Sequence, residues 1–296
     1  MNAQHIPVLL QETIELTNPT LGDVIFDGTL GLGGHSSALC ARIGEDGILI
    51  GTDKDRWALD KATEKLSSCN ARKILICRSF SDIEKILSEN NIEGVDIALV
   101  DLGFNSTQLS DEKRGFSFQL NTPLVMSYDD KDDDSLIQFL NTFSEKEIAD
   151  VIFKYGEERF ARRIVKGICD KRTANPIVTT GQLVNVINES LPSWFKAKKI
   201  NPATKVFQAL RIYTNDELNT LQKFLQGAHK SLRPGGRLAV ISFHSLEDKI
   251  VKEFFKDKKG EGKILTKKPI TPTREEEKEN PRARSAKLRV FKRDEK

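Results

Sequence analysis

Apolar runs of strand length alternate with segments of helical spacing through the first hundred residues. Strands are predicted at 24–26, 48–52, 73–77 and 95–100, and helices at 11–16, 36–43, 56–66 and 81–87. The last of these helices is expected to open on a capping box, Ser81 with Glu84 three residues on. The run at 95–100 is almost wholly apolar, as a central parallel strand buried on both faces must be. This is the rhythm of a doubly wound α/β domain. It stops after residue 105. From 106 to 200 the pattern is helical: a capping box, Ser144 with Glu147, leads to a helix ended by Gly156, and further helices are predicted at 157–172 and 180–187. The α/β pattern then resumes. Asn201 and Asn215 are placed to cap helices, a fifth strand is predicted at 237–242 with a helix after it, and 263–266 with 288–291 fit a closing antiparallel pair. The sheet is unfinished at Asp101, so 106–200 reads as a helical domain inserted between two parts of one α/β domain, 1–105 and 201–296.

Chemistry concentrates at the end of the first strand. Val24-Ile25-Phe26 runs into Asp27, and Gly28-Thr29-Leu30-Gly31-Leu32-Gly33-Gly34-His35-Ser36 follows. Glycines at 31, 33 and 34 permit a sharp turn and close approach of a ligand to the backbone. The third glycine of the dinucleotide fingerprint falls on Ser36, and an acid at position 27 suits a pyrophosphate poorly. A cationic ligand fits better, and S-adenosylmethionine carries both a sulfonium and an ammonium. Asp53 ends the second strand, where an acid can bind ribose hydroxyls. Asp101 ends the fourth strand, beside the first, where ligands of open parallel sheets bind. Phe80 follows the third strand as an apolar wall for a base, or as core. His244, after the fifth strand, is a candidate for contacting or relaying a proton, or a structural histidine.

Charge changes this picture in one respect. The net charge is only +3, but residues 256–296 hold fifteen Lys/Arg against eight Asp/Glu. A basic segment on a slightly acidic body suggests a polyanionic partner such as nucleic acid; a solvated surface is the alternative. Cys40, Cys69, Cys77 and Cys169 are scattered, and suggest neither a disulfide framework nor a zinc site. No metal, no membrane span and no signal peptide are expected, and the reading is a protein of the reducing cytoplasm.

Motifs along the whole chain carry a family resemblance. They are His5-Ile-Pro-Val-Leu-Leu, the Asp27 to Ser36 loop, Arg114-Gly-Phe-Ser-Phe, Tyr155-Gly-Glu-Glu-Arg and Asn201-Pro-Ala-Thr, then Phe207-Gln-Ala-Leu-Arg-Ile, Ser242-Phe-His-Ser-Leu-Glu-Asp and Asn280-Pro-Arg-Ala-Arg-Ser-Ala-Lys-Leu-Arg. Together they resemble the bacterial small-subunit ribosomal RNA cytosine-N4 methyltransferases, the MraW-type family. The resemblance implies a class I, Rossmann-like methyltransferase fold with a helical substrate-recognition insertion. It also implies S-adenosylmethionine as donor and a cytosine in the decoding region of 16S rRNA, within the small ribosomal subunit, as acceptor. By the same resemblance Gly33, Gly34, His35, Asp53, Phe80, Asp101 and Gln108 match donor-binding positions, joined by Asp27 and Gly31 from the loop itself. Asp101, Asn105 and His244 are the candidates for the acceptor side, and Arg282, Arg284, Lys287 and Arg289 for RNA phosphates. The family pattern is broken at Phe104, Asn105, Thr107, Val125 and Ser127. A non-catalytic RNA-binding assembly protein and a methyltransferase for another substrate are the alternatives, and the chain is expected to act as a monomer or homodimer.

Overall fold

The computed structural model describes residues 6–103, 111, 114–129, 134–192, 194, 201 and 203–296. Its first part runs α1 (Leu10–Thr17), β1 (Val24–Asp27), α2 (Gly34–Ile43), β2 (Ile48–Asp53), α3 (Arg56–Lys65), β3 (Arg72–Cys77), α4 (Ile83–Glu89) and β4 (Val95–Asp101). Helices follow: α5 (Ser135–Thr142), α6 (Glu145–Gly156), α7 (Ala161–Arg172), α8 (Thr180–Ser190) and α9 (Ala203–Thr214). The chain then completes the sheet with α10 (Glu217–Ser231), β5 (Leu232–Ser242), α11 (Ser245–Asp257), β6 (Gly262–Ile264), α12 (Arg274–Glu279) and β7 (Lys287–Arg293).

Seven strands lie in the order β3-β2-β1-β4-β5-β7-β6. The first five pair in parallel, and β7 is antiparallel to both β5 and β6. Alternate residues of each strand enter different cores. Ile25, Leu49, Ile97, Leu99 and Ile241 pack with Leu39 and Ile43 of α2 and Leu59 of α3. Phe26, Ile50, Ala98, Val100 and Val240 pack with Ile86 of α4, Phe224 of α10 and Phe255 of α11. The sheet is therefore covered on both faces, which is why its central strands are apolar throughout. No helix among the described residues is long and apolar enough to cross a membrane.

The chain divides into two compact units, 1–103 with 218–296 and 104–217. The insertion thus runs past residue 200 to Glu217. Its own core explains the shift: Val206, Phe207 and Leu210 of α9 are buried with Ile148, Ile152, Ile164, Ile168 and Leu183 of the other helices. Within this unit the Ser144–Glu147 capping box forms, as does a second one, Thr179 with Gln182. The helix expected from 157 begins only at Ala161, because Glu157 takes a left-handed conformation that ends α6. Asn215 does not cap a helix. Its Nδ2 donates to the carbonyls of Met126 and Arg211, and its Oδ1 accepts from Tyr128 N–H, so it ties α9 to the 126–128 loop. Ser127, one of the departures from the family pattern, is buried in that loop.

Two expectations for the sheet-bearing unit are corrected. The Ser81–Glu84 box is absent: Ser79 caps a short 3₁₀ turn at Phe80–Asp82 instead, and α4 starts after it. Cys40 and Cys69, scattered in the sequence, are brought within disulfide reach, with Cα atoms 6.0 Å apart, because α2 and the turn after α3 pack side by side.

The carboxyl-terminal segment is no loose tail. Arg289 lies in β7, opposite Val240 of β5, with only 6% of its surface exposed. Its Nε and Nη2 donate to the two carboxylate oxygens of Asp248 on α11, at 2.7 and 3.2 Å. Lys287 Nζ lies 3.6 Å from the same carboxylate. Burial alone would raise the Asp248 pKa, but the Arg289 hydrogen bonds and charge, helped by Lys287, hold it below its ordinary value. Such a group adds stability at neutral pH that is lost as pH falls through its depressed pKa, below about 4. Asp248→Ala strands a buried guanidinium, so we expect a loss on the order of 3 kcal/mol in urea unfolding at pH 7, shrinking at acid pH. Equal stabilities of variant and parent at pH 7 would mean that the pair contributes nothing.

Candidate functional site

The carboxyl ends of β1, β2 and β4 meet at the crossover point of the sheet, where β1 has β2 on one side and β4 on the other. Each of these three strands ends in an aspartate: Asp27, Asp53 and Asp101. The glycine loop leaves β1 between them. Gly28 allows the turn to pass under β4, since a Cβ there would lie 2.6 Å from Phe80 Cβ and 2.7 Å from Val100 Cγ1. Gly31 and Gly33 take φ of +50° and +72°, the left-handed region, and Gly33 caps α2.

The acids hold this turn in place. Asp27 is 2% exposed. One of its oxygens accepts from Ser36 Oγ–H at 2.6 Å, the other from Thr29 N–H at 3.2 Å. Both of its carboxylate oxygens are thus engaged inside the loop. Asp53 Oδ2 accepts from Gly31 N–H at 2.8 Å and Oδ1 from Asp55 N–H at 2.9 Å. Asp53 is half-buried. Burial pushes the pKa of Asp27 up to about 6 against the pull of Ser36 and Thr29, and that of Asp53 to about 6 as well.

Asp101 is the least satisfied of the three. Its backbone N–H donates to Thr29 Oγ1 at 2.6 Å, but its buried Oδ1 has no hydrogen-bond partner among the described residues. Burial, then the charges of Asp27 and Glu247, raise its pKa well above the carboxylate range. Across from it stands His35, buried at the start of α2. His35 Nε2 lies 2.9 Å from the Val8 carbonyl, which only accepts, so that nitrogen carries the proton. In the neutral ring Nδ1 is then an acceptor, and it faces Asp101 Oδ2 at 3.8 Å.

Phe80 opens the 3₁₀ turn after β3 and meets Phe224 edge-on at 5.3 Å between ring centres. It is partly buried, and so serves the core as well as any ligand. His244 caps α11: its Nδ1 accepts from Glu247 N–H at 3.4 Å, and Glu247 Oε2 accepts from the N–H groups of Phe243 and His244. Glu247 Oε1 also lies 3.1 Å from His244 Nε2. The ring is thus built into a helix terminus. Glu247 was missed in the sequence, although its i+3 spacing from His244 is a capping-box signal. Thr29 and Ser36 were likewise passed over, inside the motif itself.

Asn105 and Gln108 lie outside the described residues, as do Phe104 and Thr107. Of the four cations expected to meet phosphate, Arg282 and Arg284 are exposed and make no ion pair among the described residues. Lys287 is shared with Asp248, and Arg289 is spent on it, which removes Arg289 from that set.

The site can therefore hold a cation over three strand-end acids, beside a glycine turn that admits a ligand to the backbone. Comparison with known proteins gives the family. Residues 2–294 match the model of the MraW methylase family. The "Ribosomal RNA small subunit methyltransferase H" of Syntrophus aciditrophicus (strain SB) is 42% identical, covering 98% of this chain and 97% of its own length. The protein of that name from Hydrogenobaculum sp. (strain Y04AAS1) is 44% identical, over 97% and 95%. Among solved structures, a putative rRNA-methylase from Clostridium thermocellum aligns with a TM-score of 0.49 at 15% identity, covering 97% of this chain and 98% of that one. The doubly wound, mostly parallel sheet is the Rossmann-like sheet expected of a class I methyltransferase. Matched along almost its whole length, the chain belongs to the MraW methylase family.

Proposed function

We propose that this protein transfers a methyl group from S-adenosylmethionine to the exocyclic N4 of a cytosine in the decoding region of 16S rRNA, on the small ribosomal subunit in the cytoplasm. The observation that carries the reading is the trio of strand-end acids around a glycine turn, with Asp101 Oδ1 buried and without a partner among the described residues. A buried carboxylate oxygen without a donor is costly, and a bound cation or N–H group relieves that cost. The donor supplies an electrophilic methyl on a sulfonium. Asp53 suits the ribose hydroxyls, the Gly31 to Gly34 turn the close approach, and Asp27 and Asp101 the positive charge.

Cytosine N4 is a poor nucleophile because its lone pair is delocalised into the ring. Transfer needs N4 held in line and acceptors for its N–H groups. Asp101, at the end of β4 where the insertion departs, serves both the donor and this acceptor role. A strong base is not required, since the nitrogen becomes acidic once methylated. In the cytoplasm the Cys40–Cys69 pair would be held as a dithiol. The direct test is incubation with labelled donor and undermethylated small subunits, followed by mapping of the modified nucleoside. N4-methylcytidine supports the reading, and label on protein or on another nucleoside overturns it.

The raised carboxyl pKa values give a pH dependence with a definite sign. Without donor, the folded state holds these protons more tightly than the unfolded chain. Its stability therefore falls as pH rises from 3.8 to about 6 through Asp27 and Asp53. A cationic donor favours the ionised forms, so its affinity should climb between about pH 5 and 7 with release of protons. Calorimetry at pH 6 in buffers of different ionisation enthalpy reads that release. An affinity flat across the range would mean the acids are already ionised without donor.

If Arg282 and Arg284 contact phosphates, changing both to Gln should weaken subunit binding. It should also flatten the salt dependence by roughly 1.4 in log–log slope, at about 0.7 for each contact to single-stranded RNA. Filter binding across a salt series measures this, and an unchanged slope removes the pair from the interface.

A further inference from the structure

The motif near the start of the chain, Ile6-Pro-Val-Leu-Leu, has no part in the chemistry described so far. It lies against the beginning of α2, where the glycine turn ends. A Cβ on Gly34 would overlap the Pro7 ring, so the room that this glycine leaves is filled by protein. One residue further on, the Val8 carbonyl accepts from His35 Nε2 at 2.9 Å. Consecutive residues of the segment thus rest on consecutive residues of the turn.

The segment is itself held from the far end of the chain. Leu9 takes φ +50°, in the left-handed region that a leucine rarely adopts. Its N–H donates to Glu276 Oε1 on α12 at 2.8 Å, across 267 positions of sequence. Asn280 Nδ2 adds a bond to the Ile6 carbonyl at 3.2 Å. Val8 and Leu9 are buried in one cluster with Ala283 and Ala286, which follow α12. Thr273 caps α12 and accepts the Glu276 N–H at 3.2 Å. Glu276 therefore stands where a capping-box glutamate would reach back to its own helix start. Its Oε1 goes to Leu9 instead.

We propose that Glu276 is a positioning residue for the methyl-donor site: by holding the Leu9 N–H it keeps the Val8 carbonyl on His35 and Pro7 on Gly34. This inference rests on the reading of the glycine turn as the donor site, and adds to it a residue from the opposite end of the chain. The effect of Glu276 passes through the backbone of residues 7–9. A carbonyl only accepts, so Val8 holds the proton of His35 on Nε2 and turns Nδ1 toward Asp101 Oδ2, 3.8 Å away. A hydrogen bond to a carboxylate is among the stronger kind, and here it offsets the left-handed turn at Leu9. Without it the turn relaxes, the Val8 carbonyl shifts, and the ring of His35 loses its fixed orientation beside Asp101.

The test uses the full-length chain and S-adenosylmethionine. In calorimetry Glu276→Ala should weaken donor binding roughly tenfold, the scale of one lost charged hydrogen bond. Glu276→Gln retains an acceptor oxygen and should bind the donor close to the parent's affinity. On undermethylated small subunits the alanine variant should show a raised KM for the donor and a kcat that changes little. Nitrogen-15 NMR supplies a second readout, since the chain has only four histidines and the His35 signal is the one missing from His35→Asn. The His35 Nε2–H should be sheltered from exchange in the parent and in Glu276→Gln, and broadened by exchange in Glu276→Ala. A lower melting temperature in Glu276→Ala, with donor affinity and the His35 signal unchanged, makes the contact structural only and overturns the inference. If the alanine variant does not fold, Glu276→Asp, which withdraws the acceptor by one methylene, takes its place, and parental affinity in it overturns the inference equally. If the parent itself binds no S-adenosylmethionine, the donor reading fails instead.

Discussion

Three carboxylates at adjacent strand ends are the constraint on which the rest of the sheet-bearing unit depends. Placing Asp27, Asp53 and Asp101 at one edge of an apolar sheet is unfavourable, both through lost hydration and through mutual repulsion. The chain offsets the first two locally, with Ser36 and Thr29 on Asp27 and with Gly31 and Asp55 on Asp53. Asp101 is left with Oδ1 unmatched. Sites that retain such local imbalance are where ligands complete the structure.

The same bonds set the shape of the glycine turn. Thr29 N–H reaches Asp27, Gly31 N–H reaches Asp53, and Thr29 Oγ1 receives the Asp101 N–H. Backbone bonds continue the stitching: Gly28 N–H to the Leu99 carbonyl on β4, and Leu30 N–H to the Thr52 carbonyl on β2. The loop is therefore fixed to both neighbours of β1, and its conformation does not rest on glycine freedom alone. A site held in this way loses little entropy when a ligand binds.

What was legible in the sequence was what depends on near neighbours. The strand–turn–helix at 24–43, the acids that end the strands and the Ser144–Glu147 box all follow from residues a few positions apart. Long-range partners decided the rest. Asn215 looks like a cap, but Met126 and Tyr128, nearly ninety positions away, claim its amide. Arg289 reads as a free cation until β7 pairs with β5 and brings it against Asp248. The Ser81 box lost to Ser79, which caps two residues earlier and draws Phe80 into a 3₁₀ turn. His244 takes the place that Ser or Thr usually holds in a capping box, so of its two sequence readings the structural one is met in a form that residue type does not signal.

The distribution of charge separates two tasks that conflict electrostatically. A pocket walled by acids attracts a cationic donor and repels a polyanion. On the proposed reading, the RNA is held by cations that are not paired with those acids, Arg282 and Arg284 among them. The donor's positive charge then changes what an incoming base meets. With it bound, the field of Asp27 and Asp101 is largely neutralised, and the penalty for bringing phosphates near falls. Linkage requires the converse, that RNA held nearby tightens the hold on the cation by the same factor. After transfer the sulfonium charge is gone while the ammonium remains, and the acids face an anionic neighbour with less compensation. On that reading, the three aspartates that favour assembly of the reactants also favour separation of the products.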